Sequence, residues 1–377
     1  MESFGKLGEL RTYPSYKTNK LMGIHFVFFP LIYVIIFIVA VFGNCMFVIA
    51  VSRNTKLHSS VFIFLANQSI SDLLFINVTL FSVVEFIMQT WIFGDIFCRI
   101  NGFMLEICYT VSILSLCAVA VERYLLICNV NNTKKTTQWC VKASALIWLI
   151  SGVLCCPGLY GYTANHQPTY DVGVNASTNG FRATENITTR SVRFQCSARY
   201  WSKTVYITYC CIHGAIVYLI PILIMLFTHH FIAKALKKQK ITQHYEDDTF
   251  GESRSTWNED KTMRQRRHKL AMSKMSRNLK VIKLLITITV TFVVIWSPFM
   301  MMRVVRKMVF VPHTVWTAVQ GLILTSTNTN FFITLKMSAE FKKTIQLLMK
   351  CADEKVDRRN SSNAFNRVSV CSITSQV

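Results

Sequence analysis

Apolar residues in this chain come in long blocks separated by polar stretches. Seven blocks fall near residues 24–51, 61–88, 97–127, 141–160, 205–232, 279–305 and 313–335. Each holds the roughly 20 apolar residues that a helix needs to cross a hydrocarbon core about 30 Å thick. The pattern predicts an all-α membrane protein, a seven-transmembrane-helix bundle over residues 24–337. The seventh block is the weakest. Its stretch Thr325-Ser326-Thr327-Asn328-Thr329-Asn330 is too polar for lipid and must face the bundle interior.

Two flanking patterns complete this picture. Residues 338–351 place Phe341, Ile345, Leu347 and Leu348 on one face, with Lys342, Lys343 and Lys350 beside them. That predicts a short amphipathic helix on the inner membrane surface. Cys351 closes it as a candidate palmitoylation site. Residues 352–377 are polar and Ser-rich and are expected to be a disordered cytoplasmic tail. Residues 1–23 are expected to be extracellular; residues 1–20 lack the apolar core of a cleaved signal, so the first block should insert and stay.

Composition agrees with the blocks: 52% of residues are hydrophobic and only 16% charged. The net charge of +22 would fit nucleic acid, but its distribution excludes that class. The basic residues gather in the connections: Arg53 and Lys56 after the first block, Lys134, Lys135 and Lys142 after the third, and twelve Lys or Arg between 233 and 278. These three loops share one side, which the positive-inside rule makes cytoplasmic. A multi-pass plasma-membrane protein with its N-terminus outside follows. Among the N-x-Ser/Thr matches, only Asn175 and Asn186 then lie outside, where they are candidates for glycosylation. Most of the 13 cysteines sit inside apolar blocks as packed thiols, whereas Cys98 and Cys196 lie in polar stretches.

One landmark per block resembles the rhodopsin-like (class A) G-protein-coupled receptor family, over roughly residues 24–350. The landmarks are Gly43-Asn44, Asp72 within LANQSISDLL, Trp91-Ile92-Phe93-Gly94 before Cys98, Glu122-Arg123-Tyr124, Trp148, Pro221, and Phe292 with Trp296-Ser297-Pro298. Singly each is weak; the ordered set is specific. The resemblance implies a disulfide between Cys98 and Cys196. It implies a G-protein switch at Glu122, Arg123 and Tyr124, where a charge pair restrains a two-state bundle. It implies a transmission cluster of Ile113, Pro221, Phe292 and Trp296, with Pro298 as the kink of a hinge. Asp72, with Asn44, Ser112, Ser326 and Asn330, resembles the family's sodium pocket; a carboxylate ringed by hard oxygens suits that ion. No other cofactor is expected.

Two departures stand beside the resemblance. The family usually ends its seventh helix with Asn-Pro-x-x-Tyr; here the chain reads Asn330-Phe331-Phe332-Ile333-Thr334. His229 stands where the fifth helix usually carries a tyrosine. Both tyrosines that meet in the active family members are missing, so weak or biased G-protein output is an alternative.

The ligand is read from the upper half. Leu105 occupies the position where amine receptors carry an aspartate, and Glu106 is expected to point about 100° away from it. The long loop over residues 161–203 and the Trp-Ile-Phe-Gly stretch resemble the neuropeptide branch, which implies a peptide ligand. Arg303, Arg306 and Lys307, with Arg182, Arg190, Arg193, Arg199 and Lys203, predict a mouth that attracts an acidic group, outnumbering Asp171 and Glu185. Glu85, Leu105, Glu106, Tyr109, His213, Phe299, Arg303, Arg306 and Gln320 are the candidate ligand pocket. A receptor for an acidic small molecule or lipid, or a scavenger-type receptor, is the alternative. No nucleophile–base set, phosphate loop or zinc motif points to an enzyme, and no inverted repeat to a transporter. Expected partners are a heterotrimeric G protein, arrestin and the bilayer. The ending Ser375-Gln376-Val377 adds a candidate PDZ-domain ligand at Ser375 and Val377.

Overall fold

The computed structural model describes residues 20–128, 136–173, 186–198, 202–251, 258–309, 311 and 313–360. Four helices come first: α1 (Lys20–Arg53), α2 (Ser60–Met88), α3 (Gly94–Ile127) and α4 (Thr137–Cys155). A hairpin of β1 (Tyr162–Gly173) and β2 (Asn186–Ala198) follows. The fifth rod, α5, joins Lys203–Gly214 to Ile220–Gly251 through a π turn at Ala215–Leu219. Then come α6 (Asn258–Met308), α7 (His313–Met337) and α8 (Ala339–Asn360). Among the described residues, six helices, α1 to α6, are long and apolar enough to cross a membrane. The 25-residue α7 misses that mark because of its polar stretch, yet it packs among the others: Ser326, Thr327, Asn330 and Thr334 are all buried. The chain is thus a multi-pass membrane protein.

The bundle is inside-out in the sense a bilayer requires. Large apolar side chains such as Ile38, Leu149, Val153 and Leu223 stay exposed for lipid, while polar ones turn inward. Inward amides and hydroxyls act as interhelical ties. Asn44 Nδ2 donates to the Ala40 and Thr327 carbonyls at 2.9 and 2.8 Å, holding α1 to α7. Asn67 joins three helices: its Nδ2 donates to Ser115 Oγ at 2.9 Å, and its Oδ1 accepts from Trp148 Nε1 at 3.0 Å. Small residues let helices close up. A Cβ on Gly43 would stand 3.1 Å from the Phe331 ring.

Helices run past the bilayer where the sequence is polar. α5 continues to Gly251 and α6 begins at Asn258, well beyond the apolar blocks that announced them. α1 begins at Lys20, ahead of the block edge expected at 24. α8 also runs on to Asn360 instead of stopping at 351, because the added residues are mostly good helix formers. Its anchoring face is narrower than expected. Phe341 and Ile345 are buried, with Phe341 packed 4.6 Å from Phe47, whereas Leu347 is exposed. Thr344 Oγ1 accepts from Asn54 Nδ2 at 2.8 Å, tying α8 to the chain just after α1.

Candidate ligand-binding site

The hairpin closes one end of the bundle. A disulfide joins Cys98 at the start of α3 to Cys196 in β2. Backbone and carboxylates do the rest. Cys196 N–H donates to Glu85 Oε1 at 2.8 Å, and Trp91 N–H to the Phe194 carbonyl at 2.8 Å. Asp95 Oδ1 accepts from Thr163 Oγ1 at 2.6 Å and from Ala164 N–H at 2.9 Å. The strands pair in antiparallel register from Tyr162 opposite Ala198 to Gly173 opposite Asn186, with an irregularity after Thr169. Tyr162 lies so close over α3 that a Cβ on Gly102 would come within 2.3 Å of its ring.

Beneath the hairpin lies a buried polar network. Arg303 of α6 reaches Glu106 of α3, Nη2 to Oε1, at 2.5 Å, and both residues are buried. Arg303 Nη1 also donates to the Tyr109 hydroxyl at 2.8 Å. Tyr109 bonds His213 Nδ1 of α5 at 2.9 Å. Tyr209 donates to Glu106 Oε2 at 2.5 Å, and Tyr162 to Oε1 at 3.4 Å. A charge pair out of water needs such satisfaction, since an unpaired member would cost several kcal/mol, on the order of 3–5.

Two expectations are corrected here. Arg303 is no rim cation waiting for an acid; it is buried and already paired. Glu106 does not turn away from the pocket: the step from Leu105 aims its carboxylate at α5 and α6, while Leu105 is a half-buried packing residue. Arg306 stays exposed but lies 4.2 Å over the Trp316 ring. Lys307 donates to the Ala198 carbonyl at 3.3 Å and sits over Tyr206. Among the loop cations of the expected basic rim, Arg193 and Lys203 are described with exposed side chains. Gln320 is half-buried on α7.

Directly below, aromatic rings continue the line inward. Trp296 packs against Tyr109 at 5.4 Å, Phe75 at 5.9 Å and Phe299 at 5.9 Å, and stacks on Phe292 at 5.4 Å. Ile113, Phe292 and Trp296 are buried. Pro298 lies inside the continuous α6, nearly two turns from Phe292. Tyr218, in the π turn before Pro221, donates to the Val293 carbonyl at 3.0 Å and meets Ser297 Oγ at 2.8 Å. It therefore couples α5 to the proline region of α6. Farther inward, Asp72 is buried and accepts from Asn330 Nδ2 at 3.2 Å, with Ser112 and Ser326 buried too. At the end of the bundle away from the hairpin, Arg123 Nε lies 2.9 Å from Glu122 Oε2, and Arg123 Nη2 donates to Ser60 Oγ at 2.8 Å. Tyr124 faces Phe231 at 6.3 Å.

The helix order, the disulfide and this axial line of landmarks meet a direct comparison. Residues 43–339 match the family described as 7 transmembrane receptor (rhodopsin family). The chain belongs to this receptor family. It is similar to neuropeptide Y receptor type 6 of Mus musculus, 31% identical over 38% of this chain and 39% of that receptor's length. A QRFP-like peptide receptor of Branchiostoma floridae is 24% identical over 86% of the chain and 78% of its own length. The octopamine receptor Oamb of Drosophila melanogaster is 36% identical over 35% of the chain and 21% of its own length. The receptor thus spans well under half of the mouse relative it matches.

Several expected sites of this receptor are placed in part or not at all. Asn186 opens β2 and Cys351 lies half-buried on α8. Asn175, Ser375 and Val377 lie outside the described residues. Sequence reasoning missed Tyr162, Tyr209 and Tyr218. No short motif marks a tyrosine whose partner is 50 or more residues away, or a π turn that adds no special residue type.

Proposed function

We propose that this chain is a peptide receptor that signals through heterotrimeric G proteins by an outward swing of α6. The observation that carries the reading is the Glu106–Arg303 pair. It binds α3 to α6 above Trp296, and the line below it leads to Arg123. A ligand that engages either charge has differential affinity for the tied and untied bundle, which is what a population shift requires. A peptide offers both charge and enough surface to displace Tyr162 from Gly102, and two of the relatives above are named as peptide receptors.

The N-terminus faces outward and the C-terminus inward in this reading, on the strength of the basic loops. Asp72, Ser112, Ser326 and Asn330 would hold a sodium ion. The donor-poor chemistry supports this: Ser326 Oγ donates its hydrogen to the Ile323 carbonyl, and Asn44 Oδ1 is buried without a donor. Bound there, the ion supplies positive charge to a buried carboxylate and favours the resting bundle. Arrestin, palmitate on Cys351 and a PDZ domain on Val377 complete the proposed partners; amidating the C-terminus should abolish PDZ capture.

The test is nucleotide exchange on purified G proteins by the full-length receptor in nanodiscs, screened against a peptide library. A peptide that drives exchange, and fails to do so on Arg123→Ala, supports the reading. Peptides that recruit arrestin without any exchange would assign the chain to the scavenger type instead.

A further inference from the structure

We propose that Glu106, Cys155 and His213 form a binding site for a zinc-class divalent cation between α3, α4 and α5. This site does not depend on which ligand the receptor takes. All three residues are buried, and one ligand atom from each lies within 4.8 Å of the others. The decisive distance is 3.6 Å between Cys155 Sγ and His213 Nε2. A tetrahedral zinc with Zn–S near 2.3 Å and Zn–N near 2.0 Å sets its sulfur and nitrogen about 3.5 Å apart. The pair is therefore already spaced for one ion.

The histidine is also prepared for a metal. Its Nδ1 is engaged by the Tyr109 hydroxyl at 2.9 Å, and Tyr209 stacks on the ring at 5.2 Å. That leaves Nε2 facing Cys155, the arrangement by which an outer partner orients a ligating imidazole. Glu106 enters the site with both oxygens already bonded, Oε1 to Arg303 and Oε2 to Tyr209. Oε2 also lies toward the segment after α4, 3.3 Å from where a Cβ on Gly158 would stand. Ligation by Oε2 exchanges its hydrogen bond from the Tyr209 hydroxyl for a bond to the ion. The set of thiolate, imidazole and carboxylate selects zinc over magnesium or calcium, which take oxygen alone. On binding, the Cys155 thiol releases its proton to solvent. Thiolate and carboxylate offset two of the three positive charges carried by the ion and Arg303, which leaves one net positive charge in the site.

The experiment uses the full-length receptor in nanodiscs, stripped with a chelator and then titrated with Co2+ as a spectroscopic probe and with Zn2+. One equivalent of Co2+ should give tetrahedral visible bands with a thiolate charge-transfer band, and Zn2+ should bleach both. Zn2+ at a hundredfold excess over Kd should raise the thermal midpoint by about 5 °C. Cys155→Ser and His213→Gln should lose both signals, whereas Cys156→Ser on the lipid side should keep them. Signals that persist in Cys155→Ser, or no signal at one equivalent, overturn the site. Should those variants fail to fold, X-ray absorption of the zinc-loaded wild type decides. One sulfur with nitrogen and oxygen neighbours supports the site; two or more sulfurs overturn it.

Discussion

At the residue scale the arrangement turns on two opposite charges where lipid-embedded helices rarely carry any. Glu106 and Arg303 stabilise each other only as a pair, because either one alone is a buried charge with too few partners. Glu106→Gln and Arg303→Gln should each destabilise the purified receptor by roughly 3–5 kcal/mol. The double variant should lose clearly less than the sum, since it removes both charges together. Thermal midpoints of the four proteins in one detergent measure this, and additive losses would mean that the two charges act separately. Gly102 gives a second residue-level test. Gly102→Ala places a methyl group against the Tyr162 ring, so the ring must shift and its weak bond to Glu106 is lost. Peptide association should become faster while the disulfide stays closed, as read by stopped-flow binding and by thiol counting.

At the element scale the hinge of α6 is the part most open to measurement. Pro298 cannot donate to the helix, and Tyr218 and Ser297 both bond the Val293 carbonyl just before it. Tyr218→Phe removes the bond from α5 at a cost of about 1 kcal/mol. Amide exchange in α6 around residues 293–299 should then rise roughly fivefold, by the same figure. Unchanged exchange would place the hinge elsewhere. The elements were unevenly legible in the sequence. The spans were readable because a bilayer demands long apolar blocks. The hairpin was not, since Pro168 sits inside β1 and reads as a strand breaker. It is tolerated because a two-stranded hairpin has only edges. The π turn has no signature, and the polar ends of α5 and α6 carry no apolar block to announce them. The residues proposed for the switch, the sodium site and the transmission cluster rest on the family resemblance alone. The true direction of Glu106 was not, because a rotation around α3 has no fixed origin until its neighbours are in place.

At the scale of the whole molecule the two ends differ in chemistry, and that difference should fix the orientation. One end carries the Cys98–Cys196 disulfide and the hairpin. The opposite end carries the long basic connection between α5 and α6. Disulfides form in oxidising compartments, and basic loops stay in the cytoplasm. Both arguments predict that the hairpin lies outside. Glycosylation offers an independent reporter, because the N-x-Ser/Thr motifs divide between the ends. Asn175 falls in sequence between β1 and β2 and Asn186 opens β2, whereas Asn131 and Asn360 belong to the basic side. Asn67 is spent inside the bundle on Ser115 and Trp148. Expressed in animal cells, the receptor should lose mass on treatment with an N-glycan hydrolase. Asn175→Gln together with Asn186→Gln should remove that loss, while Asn131→Gln and Asn360→Gln should leave it intact. A glycan that depends on Asn131 or Asn360 would invert the chain in the membrane. It would place Arg123 outside, where no G protein can reach it, and would remove the proposed signalling role with it.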